Sequence, residues 1–122
     1  MKIIIEKLLN ENNVCVSCKY GNGIAAWNGY LPEIKEYEVE IEIEDSLQWG
    51  ASIKKSKQTM PSVHIEKDLN IFIGTLESVD EDGYSVLRMG NAMVSFFAKG
   101  NSFENNIGIE IKAEKVVLTP YE

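Results

Sequence analysis

Glu36-Tyr37-Glu38-Val39-Glu40-Ile41-Glu42-Ile43-Glu44-Asp45 decides the fold. Tyr37, Val39, Ile41 and Ile43 fall on one face of an extended strand, and Glu36, Glu38, Glu40, Glu42 and Glu44 on the other. Alternation with a period of two over this length predicts a half-buried β-strand. The apolar row must cover a core, since burying each such side chain is worth roughly 1.5–3 kcal/mol. The glutamates are left facing solvent or a partner.

Outward from this stretch the chain is punctuated by turns. On the N-terminal side, the β-branched run of residues 2–9 reads as a strand, followed by the polar turn Asn10 to Asn13. Residues 14–19 alternate and pair back as a hairpin. Tyr20-Gly21-Asn22-Gly23 predicts a turn, because Gly and Asn tolerate positive φ, and 24–27 a short strand. Pro32 marks the loop before the Glu-rich strand.

Beyond Asp45, residues 46–50 form a corner in which Trp49 plugs one end of a core. Residues 51–61 carry Lys54, Lys55 and Lys57 and read as a mobile basic loop, and 62–66 as a short edge strand. Residues 70–79 make a strand in which Gly74 suggests a bulge or bend. Asp80-Glu81-Asp82-Gly83 is a hairpin turn into 84–89, and Gly90-Asn91 turns into 92–98. A polar loop, 99–106, carries Phe103. The apolar phase of 107–119 shifts between Ala113 and Val116, which requires a bulge or turn near Glu114-Lys115.

The expected architecture is a single domain, residues 1–122. It is all-β and mainly antiparallel, with eight or nine short strands forming a small OB-like or related barrel, or a two-sheet sandwich. A chain of 122 residues suits one core, and 44% hydrophobic with 25% charged is a globular composition.

The formal charge is −7, and all but Arg88 of the 12 basic residues are lysines. Nucleic-acid affinity comes largely from phosphate contacts and base reading from arginine, so a nucleic-acid partner is disfavoured. An acidic balance favours a cationic partner or simply serves solubility, and the solvated surface is the more common case. No apolar run is long enough to span a membrane. Glu6 and Lys7 interrupt the apolar start, and Asn10 to Asn13 is no cleavage site for a leader, so the expected location is cytoplasmic.

The chemical motifs are thin. Cys15 and Cys18 form one C-x-x-C, but a metal site of that kind needs a second pair or two histidines, and His64 is the one histidine. On a strand the two thiols point to opposite faces and read as buried apolar groups. Asp80 to Asp82 runs straight into a strand rather than an EF-hand loop. His64, with Glu66 two residues on, lacks a nucleophile beside it. No metal, cofactor or catalytic residue is expected.

Glu36 to Glu44 offers no pair of carboxylates in distinct environments. Its plainest reading is a solvated face that also guards a sheet edge, its repulsion relieved by lysines on an adjacent strand such as Lys112. Its functional reading is a face for a basic protein. The residues expected to steer that partner are Glu38, Glu40, Glu42, Asp80, Glu81 and Asp82. The alternative is a barrel that binds single-stranded nucleic acid or oligosaccharide through Lys54, Lys55, Lys57, Tyr84 and Arg88. A homodimer through sheet edges is compatible with either.

Two stretches carry a resemblance. Residues 36–50 and Gly83-Tyr84-Ser85-Val86-Leu87-Arg88-Met89-Gly90-Asn91-Ala92-Met93-Val94-Ser95-Phe96 look like small acidic bacterial proteins with an OB-like or related barrel, among them candidate immunity proteins of toxin–immunity systems. The stretches that carry the resemblance include no catalytic motif. The resemblance implies a non-catalytic protein that binds and blocks a toxin domain.

Overall fold

A computed structural model describes residues 1–58 and 60–121. Twelve strands are present among them: β1 (Lys2–Leu8), β2 (Asn13–Cys18), β3 (Gly21–Trp27), β4 (Glu36–Ile43), β5 (Leu47–Gln48), β6 (Ile53–Lys55), β7 (Ser62–Glu66), β8 (Leu69–Val79), β9 (Tyr84–Met89), β10 (Ala92–Lys99), β11 (Gly108–Ala113) and β12 (Val116–Pro120). Eight of these close a barrel in the order β1-β2-β3-β7-β8-β9-β10-β4, with β4 pairing back on β1. The barrel expectation therefore holds over the sandwich. Most pairings are antiparallel; the parallel ones are β10 with β4 and β5, and β3 with β7 and β12.

β12 runs between β3 and β4 and makes β1-β2-β3-β12-β4 a closed circuit of five. Within it β12 runs parallel to β3 and antiparallel to β4. Strands β5 to β11 come between its last two strands in the chain.

The strand count exceeds the expected eight or nine for two reasons. β5 and β6 are only two and three residues long and exist because distant strands, β10 and β11, offer them partners. Residues 107–119 divide into β11 and β12 at the expected place. There the Asp45 carboxylate accepts the N–H groups of Glu114 (2.9 Å) and Lys115 (2.6 Å), which satisfies the break in the ladder.

The expected loop at 51–61 is corrected by β6, which pairs Ile53, Lys54 and Lys55 with Ile111, Glu110 and Ile109; Thr59 lies outside the described residues. Of the bulge or bend expected at Gly74, the bulge lies further along the strand. The register of β8 against β9 shifts between Leu76 and Ser78, and Gly74 is needed for another reason. A Cβ there would sit 2.5 Å from the Arg88 carbonyl oxygen. The turn expected at 20–23 shortens to Lys19-Tyr20, and Gly21 already belongs to β3. With φ +138°, Gly21 lets β7 approach so closely that a Cβ would lie 1.8 Å from the Val63 carbonyl oxygen.

One core fills the interior. Val39, Ile41 and Ile43 are buried as the alternation demands, with Ile109, Ile111, Leu76, Leu87 and Phe96 around them. Trp49 plugs one end as expected, packed on Phe96 and Phe103 with ring centroids 6.0 and 5.1 Å away.

One buried polar side chain joins the two parts of the barrel. β3 pairs with β7 at Gly21 and with β12 at Ala26 and Trp27. Between those contacts lies Ile24, and the Asn70 side chain of β8 takes the place of a strand beside it. Asn70 Oδ1 accepts the Ile24 N–H at 2.8 Å, and its Nδ2 donates to the Ile24 carbonyl at 2.9 Å and the Ala113 carbonyl at 3.5 Å. Gly23 makes the room, since a Cβ there would stand 3.0 Å from Asn70 Oδ1. Replacing Asn70 with Ala would strand two backbone groups, at about 1–3 kcal/mol each. Denaturant unfolding of Asn70→Ala should show a loss of about 2–4 kcal/mol, and a loss under about 0.5 kcal/mol would mean that Asn70 does not bridge β3 and β8.

Candidate protein-binding surface

The outer face of β4 is built by its own alternation. Glu36, Glu38, Glu40 and Glu42 are exposed, and Glu44 follows them beyond the strand end. What stands beside each carboxylate differs, and the registers say how. Glu38 lies opposite Lys2 on β1, and the Met1 amino group is 3.3 Å from its Oε2. Glu44 sits beside Lys115, whose carbonyl accepts its N–H. Glu40 pairs with Thr119, and Glu42 with Val117 and Ser95. Among the described residues, no lysine or arginine comes within 4.0 Å of Glu36, Glu40, Glu42 or Glu44. Neighbours on one face about 7 Å apart repel by roughly 0.6 kcal/mol in water; the Met1 amino group, 2.8 Å from the Val39 carbonyl, flanks Glu40 on one side, and no lysine or arginine among the described residues pairs with Glu40 or Glu42 directly.

Lys112 does not act as the expected counter-charge. It lies on β11 opposite Ile71, away from β4, and Lys2 and Lys115 flank the row instead. The edge-guarding explanation also falls. β4 pairs with β12 along most of its length and with β1 and β10 as well, so it is an interior strand. Lys54 and Lys55 are the charges at an edge, on β6, which ends the strand order. Lysine on an edge strand is a common way to block edge-to-edge pairing.

The second acidic group lies at the β8–β9 hairpin, as the Asp-Gly dipeptide predicts. Asp80 is committed to the turn itself: its Oδ1 accepts the N–H groups of Asp82 (2.9 Å) and Tyr84 (3.0 Å). Glu81 and Asp82 are exposed. The turn leads into Tyr84, which pairs with Phe97 on β10, two residues beyond the Ser95 that adjoins Glu42. The two acidic groups thus belong to one sheet, separated by β9 and β10.

Residues of the alternative ligand site are not brought together as a basic groove. Arg88 forms an ion pair with Glu77 on the neighbouring β8. Lys54 stands opposite Glu110, Lys55 lies over the Phe103 ring at 5.6 Å, and Lys57 is exposed. Tyr84 packs edge-on against Phe97, centroids 5.3 Å apart.

Sequence reasoning missed a groove of about 620 Å³ beside the β1–β4 pair, bounded by the end of β2 and the start of β10, with Ile4, Cys18, Tyr20, Glu36, Glu38 and Asn91 on its walls. No motif announces it, because its walls come from strands paired across the whole chain. Cys15 and Cys18 are both free and half-buried rather than buried. Val14 takes the inward place beside Cys15, and Cys18 reaches the groove at the barrel mouth. His64 and Glu66 are 3.5 Å apart, both half-exposed on β7. Among the described residues no three His, Cys, Asp or Glu side chains gather as a metal site, and no helix is long and apolar enough to cross a membrane.

Comparison with protein-family models, with curated proteins and with solved structures gave no match.

If Glu40 and Glu42 serve the fold only as solvated groups, neutralising them removes repulsion and no favourable contact. A Glu40→Gln/Glu42→Gln variant should unfold within about 0.5 kcal/mol of the parent, with any gain largest at low salt. A loss above about 1 kcal/mol would reveal a structural role for the row.

Proposed function

We propose that the protein is a non-catalytic, acidic protein-binding module of the cytoplasm whose partner is a basic protein. Its sharpest form is an immunity protein that neutralises a toxin domain. The observation that carries this reading is the pair Glu40 and Glu42: two exposed carboxylates on an interior strand, Glu40 opposite Thr119 and Glu42 between Val117 and Ser95, with no lysine or arginine within 4.0 Å among the described residues. A face of this kind attracts cations, and it guards no edge. Glu81 and Asp82 extend the negative field and Asp80 holds the turn that presents them, while Glu38 at the edge of the face is partly compensated by the Met1 amino group. Opposite charge accelerates encounter and disfavours wrong partners, and that advantage fades as salt rises.

The nucleic-acid reading is weaker. It needs lysines and Arg88 free to meet phosphate, and Arg88 is paired with Glu77.

The test is affinity capture with the parent chain and with Glu40→Lys/Glu42→Lys, washed at low and high salt. A basic protein held stoichiometrically by the parent should be released by salt and retained at least about tenfold less by the variant. Equal retention by both chains at both salt concentrations would overturn the role of this face. In the immunity version, the captured protein halts growth when expressed alone and not when co-expressed with the parent chain; growth arrest in both cases would remove that version.

A further inference from the structure

We infer that the partner contact has an apolar half, the strip Tyr84, Val86, Met93 and Phe97 on the outer face of β9 and β10. Its occupant is a basic protein surface that places an apolar side chain between its cations. This rests on the acidic-module reading and names the chemistry the partner must bring.

The registers place the strip beside the carboxylates. Val94 pairs with Ile41 and Ser95 with Glu42, so Met93 and Ser95 share the outward face of Glu40 and Glu42. On the other side of β10, Met93 pairs with Arg88, Ser95 with Val86 and Phe97 with Tyr84. Diagonal neighbours across paired strands lie about 7–8 Å apart, within reach of large side chains. Met93, Val86, Phe97 and Tyr84 therefore follow one another diagonally across the two strands, with Arg88 and the small Ser95 beside them. Met93 is 49% exposed and Tyr84 60%, while Val86 and Phe97 are half-buried.

Charge selects the occupant. Glu40 and Glu42 border the strip on one side, and Glu81 and Asp82 stand at the turn that leads into it. Arg88, the arginine within the strip, is neutralised by Glu77, and Lys99 stands past Phe97 at the end of β10. An apolar centre with a charged rim is the usual anatomy of a protein contact; here the rim is negative. Tyr30, Leu31 and Ile34 in the loop before β4 are more exposed still. Glu33 and Lys35 in that loop pair with each other at 3.9 Å, so nothing there favours one partner.

Two synthetic probes test the inference by amide-shift titration of the full chain at low salt: hexalysine and an alternating Lys-Leu octapeptide. The Lys-Leu peptide should shift amides at 84–86 and 93–97 and bind about tenfold tighter than hexalysine, the gain from one largely buried leucine. In Val86→Thr/Met93→Gln the gain should fall below about threefold, with hexalysine binding unchanged. Equal affinity of the two peptides on the parent, a gain that survives in the variant, or apolar shifts confined to residues 30–34 would each overturn the strip. Those results leave the acidic face standing wherever hexalysine shifts the amides of β4. If neither peptide shifts β4, the acidic-module reading falls and the strip with it.

Discussion

The Asn70 amide is the joint on which the rest of the barrel depends. β3 must serve two neighbours along one edge, β7 at its start and β12 at its end. Two strands cannot share one edge without leaving a gap, and a gap in a buried ladder exposes backbone groups to an apolar interior. An asparagine side chain carries the same donor and acceptor as a peptide unit, and here it meets both groups of Ile24. It rises from β8, so the repair also links the five-strand ring to the strands that follow β4. An apolar residue at 70 would pack as well and leave both Ile24 groups unpaired, which is why a polar atom is buried among so many aliphatic ones.

That joint was invisible in the sequence, and the reason is physical. The local devices were legible: the 36–43 alternation, the Asp80–Gly83 hairpin, the Trp49 plug, and the broken phase at Glu114-Lys115. Each is written in neighbouring residues, through side-chain period or turn chemistry. The misses are non-local. β5 and β6 are too short to carry a pattern and exist only through β10 and β11. Gly74 looked like a bulge, yet it answers to the Arg88 backbone on another strand. Asn70 stands at the start of an apolar run and reads as a strand-end polar residue until Ile24, 46 positions away, is placed beside it. The groove by Glu36 and Glu38 has the same character, since its walls come from four separate segments.

For the candidate site, the sequence named the outward row and could not say which of its members were compensated. Registers decide that. Lys2 and Lys115 flank the ends of the row, Arg88 is diverted to Glu77, and Lys112 is on another part of the sheet. Five equal glutamates thereby become unequal, with Glu40 and Glu42 left as the negative centre. The acidic turn separates in the same way. Asp80 is a structural residue, and Glu81 and Asp82 carry the available charge.

The case for function rests on an economy the chain does not observe. An exposed sheet face needs polar side chains, and threonine would supply them with better strand propensity than glutamate, which is depleted in strands. Edge protection would justify charge, but β4 is interior, and the β6 edge already carries lysines. Ion pairing would justify it too, and Glu40 and Glu42 make none within 4.0 Å among the described residues. What remains is a strand that holds repulsive charge beside an exposed apolar strip, Met93 to Tyr84, which water also disfavours. Each feature alone is ordinary on a protein surface. Side by side on one sheet face they are unfavourable in the free protein for two different reasons, and a basic surface with an apolar centre relieves both at once.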